Sequence, residues 1–323
     1  MELHGDPSEA FDPLEPFRVG DALRNGFTRT DVDDPFFDRP FRGVRALKDV
    51  TTDDAHPAAA RRQQITRAAQ RFVPLMSTHD FFSHTTAAVL WGIPLPQLPD
   101  ADIDVSVLAP RRAHCANGVR GHQLHPRGVV RRTHPDHGLA LTAPATTWAL
   151  LGAVLRHPYD LVAAADAIVR IDRLPGPTSR VLAPALASRA MLAASIPSRR
   201  RGVVALRAAL DRVREGASSR METWMRLTIV DGGLPEPVLD HDVYDDHRRF
   251  LGCVDAAYPA AKIAIEYEGD HHRTDAAQWQ RDIEKHDDVV RAGWRVIRVT
   301  RAQLFADPAG FVARVRAALR AAR

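Results

Sequence analysis

Cysteine is scarce in this chain: 323 residues include two, Cys115 and Cys253. Their spacing matches no metal-binding pattern and allows at most one disulfide, which excludes a cysteine-zinc module and a disulfide-built fold. A reducing, cytoplasmic setting is the simpler expectation. Lysine is rarer than the charge suggests, because only Lys48, Lys262 and Lys285 stand among 44 basic residues and the rest are arginine. That bias reads as genome composition. It still singles out Lys262 and Lys285, since lysine can give up a proton in a perturbed site and arginine effectively cannot. No apolar run is long enough to cross a bilayer: the longest, Leu139 to Leu155, is interrupted by Thr142, Pro144, Thr146 and Thr147 and suits a core helix. The opening MELHGDPSEAFDP is acidic and has no apolar h-region, so neither a signal peptide nor a membrane partner is expected. One-signed charge is lacking too: 44 basic against 40 acidic groups leave a net charge of +4, so placement matters more than the total.

What remains is an ordinary folded composition, 45% hydrophobic and 26% charged, at a length that suits two or three domains. The richest stretch is Lys262-Ile263-Ala264-Ile265-Glu266-Tyr267-Glu268, followed by Gly269-Asp270-His271-His272. Strand alternation puts Lys262, Ala264, Glu266 and Glu268 on one face and Ile263, Ile265 and Tyr267 on the other. Two carboxylates about 7 Å apart on a half-buried strand repel and lose solvation unless a positive charge sits between them. A hard divalent cation, Mg²⁺ or Mn²⁺, is the usual answer. Asp255, eleven residues before Glu266, ends an earlier strand-like run and could close such a site from a hairpin.

Along the chain, a short helix over Val19–Asn25 stops at Gly26, and a second opens at Thr28. An extended run, Phe41 to Val44 and Arg45, follows, an order that suits a small winged-helix or helix-turn-helix unit. Residues 50–64 read as a polar loop entering another helix. Ser83 can cap a helix that Gly92 ends, Asp102–Leu108 alternates like a strand, and 160–213 read as largely helical. From about 216 the pattern changes. Ser219 caps a helix through Val230, strands follow at 249–257 and 262–268, and a helix at 275–291 is capped by Asp275 and ended by Gly293. A strand over Trp294–Thr300 leads to a last helix beginning at Asp307-Pro308. The fold class is therefore α/β, α+β overall. Expected divisions are a winged-helix-like DNA-binding region at 1–75, a mixed then mainly helical middle at 76–215, and a mixed sheet flanked by helices at 216–323.

Certain motifs match known families. Ser219-Arg-Met-Glu222, Gly233-Leu234-Pro235, Val254-Asp255, Ile263 to His272, Arg281-Asp282 and Gly293-Trp294-Arg295-Val296 together resemble bacterial proteins related to the very-short-patch repair (Vsr) endonucleases. Phe41-Arg42-Gly43-Val44, Ser83-His84-Thr85-Thr86-Ala87-Ala88 and Trp91-Gly92-Ile93-Pro94-Leu95-Pro96 resemble AbiEi-type antitoxin regulators. The first resemblance implies a PD-(D/E)XK αβα sandwich in which an Asp and an Asp/Glu bind metal and a Lys two residues later helps activate water. Carried onto this chain, Asp255 and Glu266 are the acids, with the Tyr267 carbonyl assisting. Glu268 stands at the lysine position, as in some restriction enzymes, and Vsr-like enzymes place histidines where His271 and His272 lie.

Each residue also has a plainer reading. The strand acids would otherwise be a solvated face or arginine partners. Ser219-x-x-Glu222 is a capping box, although some nucleases of this fold add a helix glutamate to the metal. His271 and His272 would otherwise be exposed turn residues, and adjacent residues on an extended segment cannot both face the acids. Lys285 would otherwise pair with Asp282, or it could replace the missing strand lysine. Residues 111–137 hold six arginines, Arg111, Arg112, Arg120, Arg127, Arg131 and Arg132, with five histidines and one acid, Asp136. Gathered on one surface they would bind DNA phosphates; otherwise they are solvated loops. The expected function is a Mg²⁺-dependent DNA endonuclease in repair or phage defence. The alternative is an antitoxin-type regulator with a silent nuclease-like domain and a cognate toxin or defence partner.

Overall fold

The computed structural model describes residues 11–49, 57–97, 102–199, 201–269 and 276–322, with side chains outside the description at 57–58 and 276–282. Asp275, His271 and His272 lie outside the described residues. The chain forms two compact units, one of residues 1–92 and 97–147, the other of 93–96 and 148–323. Helices and sheets are mixed in both, as the α/β expectation requires.

The first unit opens with β1 (Phe17–Arg18), α1 (Val19–Arg24), α2 (Arg29–Val32), β2 (Phe37–Asp38) and β3 (Val44–Leu47). Local signals act here as the sequence predicts. Gly26 takes a left-handed φ of 90° to end α1, and Thr28 forms a complete capping box with Asp31 to start α2. The three strands pair in the order β1-β3-β2. After α3 (Pro57–Phe72) come β4 (Phe81–Phe82), α4 (His84–Leu90), β5 (Ile103–Leu108), β6 (Val119–Leu124), β7 (Arg131–Thr133) and β8 (Ala140–Thr142). These five strands form a sheet in the order β6-β5-β4-β8-β7, with Phe72, Phe82, Ala87, Ile103, Val105 and Leu141 in its core. The helix expected within Leu139–Leu155 is α5 (Pro144–Leu151), which runs across the division between the units.

The second unit contains α6 (Pro158–Val169), β9 (Asp172–Arg173), β10 (Val181–Ala183), α7 (Arg189–Ser195) and α8 (Val203–Asp211), so the mainly helical stretch also holds a small hairpin. Next come α9 (Arg220–Asp231), β11 (Val238–Tyr244), β12 (Phe250–Tyr258) and β13 (Ile263–Glu268). The chain ends with α10 (Ala276–Arg291), β14 (Arg295–Thr300), α11 (Arg301–Ala306) and α12 (Pro308–Ala321). The sheet order is β11-β12-β13-β14, with antiparallel pairing except between β13 and β14, which are parallel and joined through α10. Met225 and Ile229 of α9, Leu304 of α11 and Phe311 and Val315 of α12 pack with Ile263, Ile265, Ile297 and Val299 on one side. Val289 of α10 packs with Val254, Ala257 and Ala264 in a separate cluster. Helices thus cover the sheet in two layers, as alternation along β13 requires.

Two findings differ from expectation. β11 was not legible, because Asp240, His241 and Asp242 make it read as a polar loop. It is an edge strand, and Arg173 neutralises it through bonds of 2.6 Å to Asp240 and 2.7 Å to Asp242. The units also do not divide near 75 and 215. Residue 75 lies inside the first, and 215 falls inside the second because α6 packs against α9. There Asp166 and Arg226, each about 1% exposed, form a 2.9 Å ion pair supported by Thr223 and the Arg214 N–H. Among the described residues no helix is long and apolar enough to cross a membrane.

Arg226→Ala removes the guanidinium and leaves the Asp166 carboxylate buried, so urea unfolding is expected to show a loss of about 3–5 kcal/mol. A loss under about 1 kcal/mol, the range of exposed ion pairs, would contradict this role.

Candidate functional site

The β12–β13 register sets the acidic site. The ladder ends at the Ala256–Ile265 pair, and Asp255 and Glu266 are the next residues on their strands. Asp255 Oδ2 accepts the Tyr267 N–H at 2.7 Å, which ties the first acid to the strand carrying the second. Lys285 reaches from α10 to donate to Glu266 Oε1 at 2.6 Å, with both side chains partly buried. Gly252 makes room for it: a Cβ there would lie 2.7 Å from Lys285 Cγ. Tyr267 turns its ring to the opposite, apolar side.

The protein thus supplies the positive charge that the strand carboxylates need. Lys285 serves Glu266, and Arg298 lies 3.5 Å from exposed Glu268 across the β13–β14 pair. The Lys285 pairing removes one reason for expecting an ion there. Lys262 is not part of this group, since its ammonium donates to the Ala292 carbonyl at 3.1 Å.

Glu222 occupies the first turn of α9. Ser219 caps the helix by accepting the Glu222 N–H at 3.1 Å, but the return bond of the expected capping box is displaced by one residue. Glu222 Oε2 accepts from the Ser218 N–H at 2.7 Å. Glu222 is 8% exposed, and burial, with the Asp255 charge second, pushes its carboxyl up to about 7. Those two carboxylates repel in a setting that a cation would relieve. Their chemistry, carboxylate oxygens beside the Tyr267 backbone, suits a hard divalent ion. The geometry is looser than a formed site: among the described residues, no three histidine, cysteine or carboxylate side chains that include Glu222, Asp255 or Glu266 bring ligand atoms within 4.8 Å of one another.

The arginine-rich segment is divided by the sheet. Arg120 lies on β6 and Arg131 and Arg132 on β7, at opposite edges of five strands and so about 19 Å apart across the sheet. Arg111, Arg112, Arg127, Arg131 and Arg132 are exposed. Arg120 instead approaches Asp104 at 3.4 Å, Arg111 contacts His79, and Arg131 lies over the Phe81 ring.

Sequence reasoning missed a second group. His84, Asp104 and His122 bring three ligand atoms within 4.8 Å of one another and could hold a metal ion. Ser83 was expected to cap α4 with its side chain. Its Oγ instead contacts His84 Nδ1 at 2.8 Å and Ser106 Oγ at 2.6 Å. Asp104 is 1% exposed; burial alone would raise its pKa, but hydrogen bonds from His122 and Thr85 and the nearby histidine charge outweigh burial and hold it low. The available signal was an acid placed inside the apolar alternation Ile103-Asp-Val-Ser-Val-Leu108. A buried acid without partners is expensive, so partners had to exist.

Two uncharacterized proteins of Mycobacterium tuberculosis, from different strains, are each 29% identical to this chain over 237 residues, covering 71% of it and 78% of the relative. No family model matches the chain, and no solved structure matches it.

The raised Glu222 pKa gives a signed prediction. The folded state binds more protons than the unfolded one between pH 4.5 and about 7, so stability falls as pH rises through that window. Glu222→Gln abolishes the effect. Without added metal, the variant's advantage over wild type in urea unfolding should be small at pH 4.5 and grow toward pH 8, to on the order of 3 kcal/mol. A pH-independent difference would mean that Glu222 ionises normally in the folded protein.

Proposed function

We propose that the second unit is a divalent-metal-dependent DNA endonuclease of PD-(D/E)XK type related to Vsr enzymes. The observation that carries this reading is the 2.6 Å pairing of Lys285 with Glu266 on the strand to which Asp255 is tied through the Tyr267 N–H. It brings a lysine to the second acid although the usual strand position holds Glu268. Asp255, Glu222, Glu266 and the Tyr267 carbonyl would hold Mg²⁺ or Mn²⁺. The ion would supply an acidified water and charge neutralisation at the scissile phosphate. Glu266 would accept a proton from the attacking water, while Lys285 would orient its carboxylate and present an N–H to phosphate oxygen. Glu268, at the strand end, and His271 or His272 are further candidates for the leaving-group proton. Exposed Arg111, Arg112, Arg127, Arg131 and Arg132, with Arg120, would contribute DNA affinity from the first unit.

Two observations favour a second reading. Glu266 is already neutralised by Lys285 and the acids are not drawn into a tight ligand set, as suits a DNA-binding regulator of AbiEi type with a silent nuclease-like domain. That protein would act with a cognate toxin or defence partner and bind DNA without metal.

Supercoiled plasmid separates the readings. The wild type should nick it in Mg²⁺ or Mn²⁺ but not in chelator. Asp255→Ala and Glu266→Ala should each lose at least about a hundredfold in rate, on the order of 3 kcal/mol in the barrier, while gel-shift affinity is kept. Equal nicking by wild type and both variants, or metal-independent binding with no nicking by any of them, would overturn the nuclease reading. Mg²⁺ at pH 8 should also narrow the stability gap between wild type and Glu222→Gln, because a bound cation stabilises the ionised carboxylate.

A further inference from the structure

The first unit holds a cluster whose donors differ in kind from the all-oxygen set of the acids. We propose that His84, Asp104 and His122 form a binding site for a first-row transition-metal dication of the zinc class. Two imidazoles and one carboxylate are the donors of such ions, with a further position left for water or a ligand oxygen.

The surroundings are those of ligands already oriented. The Ser83 hydroxyl engages His84 Nδ1 at 2.8 Å and continues to Ser106 Oγ at 2.6 Å. A bond to the far ring nitrogen is the usual support of a metal-ligating histidine. Asp104 is held through its other oxygen: Oδ2 accepts the Thr85 N–H at 3.1 Å and the Thr85 hydroxyl, while Oδ1 faces His122. The Asp104 N–H is also engaged, by Thr86 Oγ1 at 2.7 Å.

Ion binding requires a modest adjustment of the distances. His122 Nε2 and Asp104 Oδ1 are 2.8 Å apart, whereas two atoms bound to one zinc ion stand about 3.0–3.4 Å apart. The His84 and His122 rings are stacked with centroids 3.9 Å apart and planes at 26°, so their rotation is the movement that binding requires. His84 takes a left-handed φ of 46°, a backbone conformation unusual for a side-chain-bearing residue and one that structures retain at functional sites. The cation opposing the site is Arg120, 3.4 Å from Asp104 Oδ1 and 38% exposed. Its guanidinium must withdraw from the carboxylate, and would then stand beside the open position as a partner for an anionic ligand such as phosphate.

Titration of the full-length protein with Co²⁺, a coloured zinc analogue, tests the site. The wild type should take up about one equivalent at this centre with visible absorption bands, and Zn²⁺ should displace it. Asp104 is deeply buried and its loss risks the fold, so the deciding variant is half-buried His122→Ala, with folding checked by circular dichroism. It should lose the bands and bind at least about tenfold more weakly, and Ser83→Ala should weaken binding about 10–100-fold with the bands retained. Asp255→Ala should leave the signal unchanged, separating this centre from the acids of the other unit. No saturable Co²⁺ uptake by wild type, uptake undiminished in folded His122→Ala, or bands lost in Asp255→Ala but kept in His122→Ala would overturn the proposal.

Discussion

The antiparallel register between β12 and β13 is the constraint on which the second unit depends. Pairing of Ala256 with Ile265 sends Ile263 and Ile265 into the core shared with α9 and α12 and Ala264 into the one shared with α10. Just beyond its last pair, Asp255 Oδ2 is tied to the Tyr267 N–H of the strand that carries Glu266. A slip of one residue would turn apolar side chains away from their cores. Packing free energy and the placement of potential chemistry are therefore enforced by one set of strand hydrogen bonds.

Charge compensation follows from that arrangement. Each acid brought inward meets a cation or donor from a distant part of the chain: Glu266 meets Lys285, Asp166 meets Arg226, and Asp240 and Asp242 meet Arg173. Glu222 is the contrast, because beside Asp255 its principal local bond is a backbone N–H and its carboxyl is pushed upward. Burial of like charges is costly, and where the protein leaves that cost in place it marks a position at which an added cation would gain most.

The candidate donors are carboxylate and carbonyl oxygens in the second unit and imidazole with carboxylate in the first. Those donor sets favour different ions. The structural support differs as well. Asp104 is held through Thr85 and Thr86 and His84 through Ser83, whereas Glu266 answers mainly to one lysine whose stem crosses Gly252.

Features that depend on near neighbours were determined by the sequence itself. Gly26 and Thr28 set a helix stop and start, Asp307 caps α12 through the Gly310 N–H, and the alternation of residues 262–268 assigned the two faces of β13. Caps and alternation act over a few residues, so they are legible without knowing what packs against them. Tertiary structure decided the rest. It brought Lys285 to Glu266, recruited the polar β11 to a sheet edge, drew 148–215 into the second unit, and assembled His84, Asp104 and His122 from α4, β5 and β6. Strand order and helix docking bring those groups together from well-separated positions, and composition and spacing carry no record of that pairing.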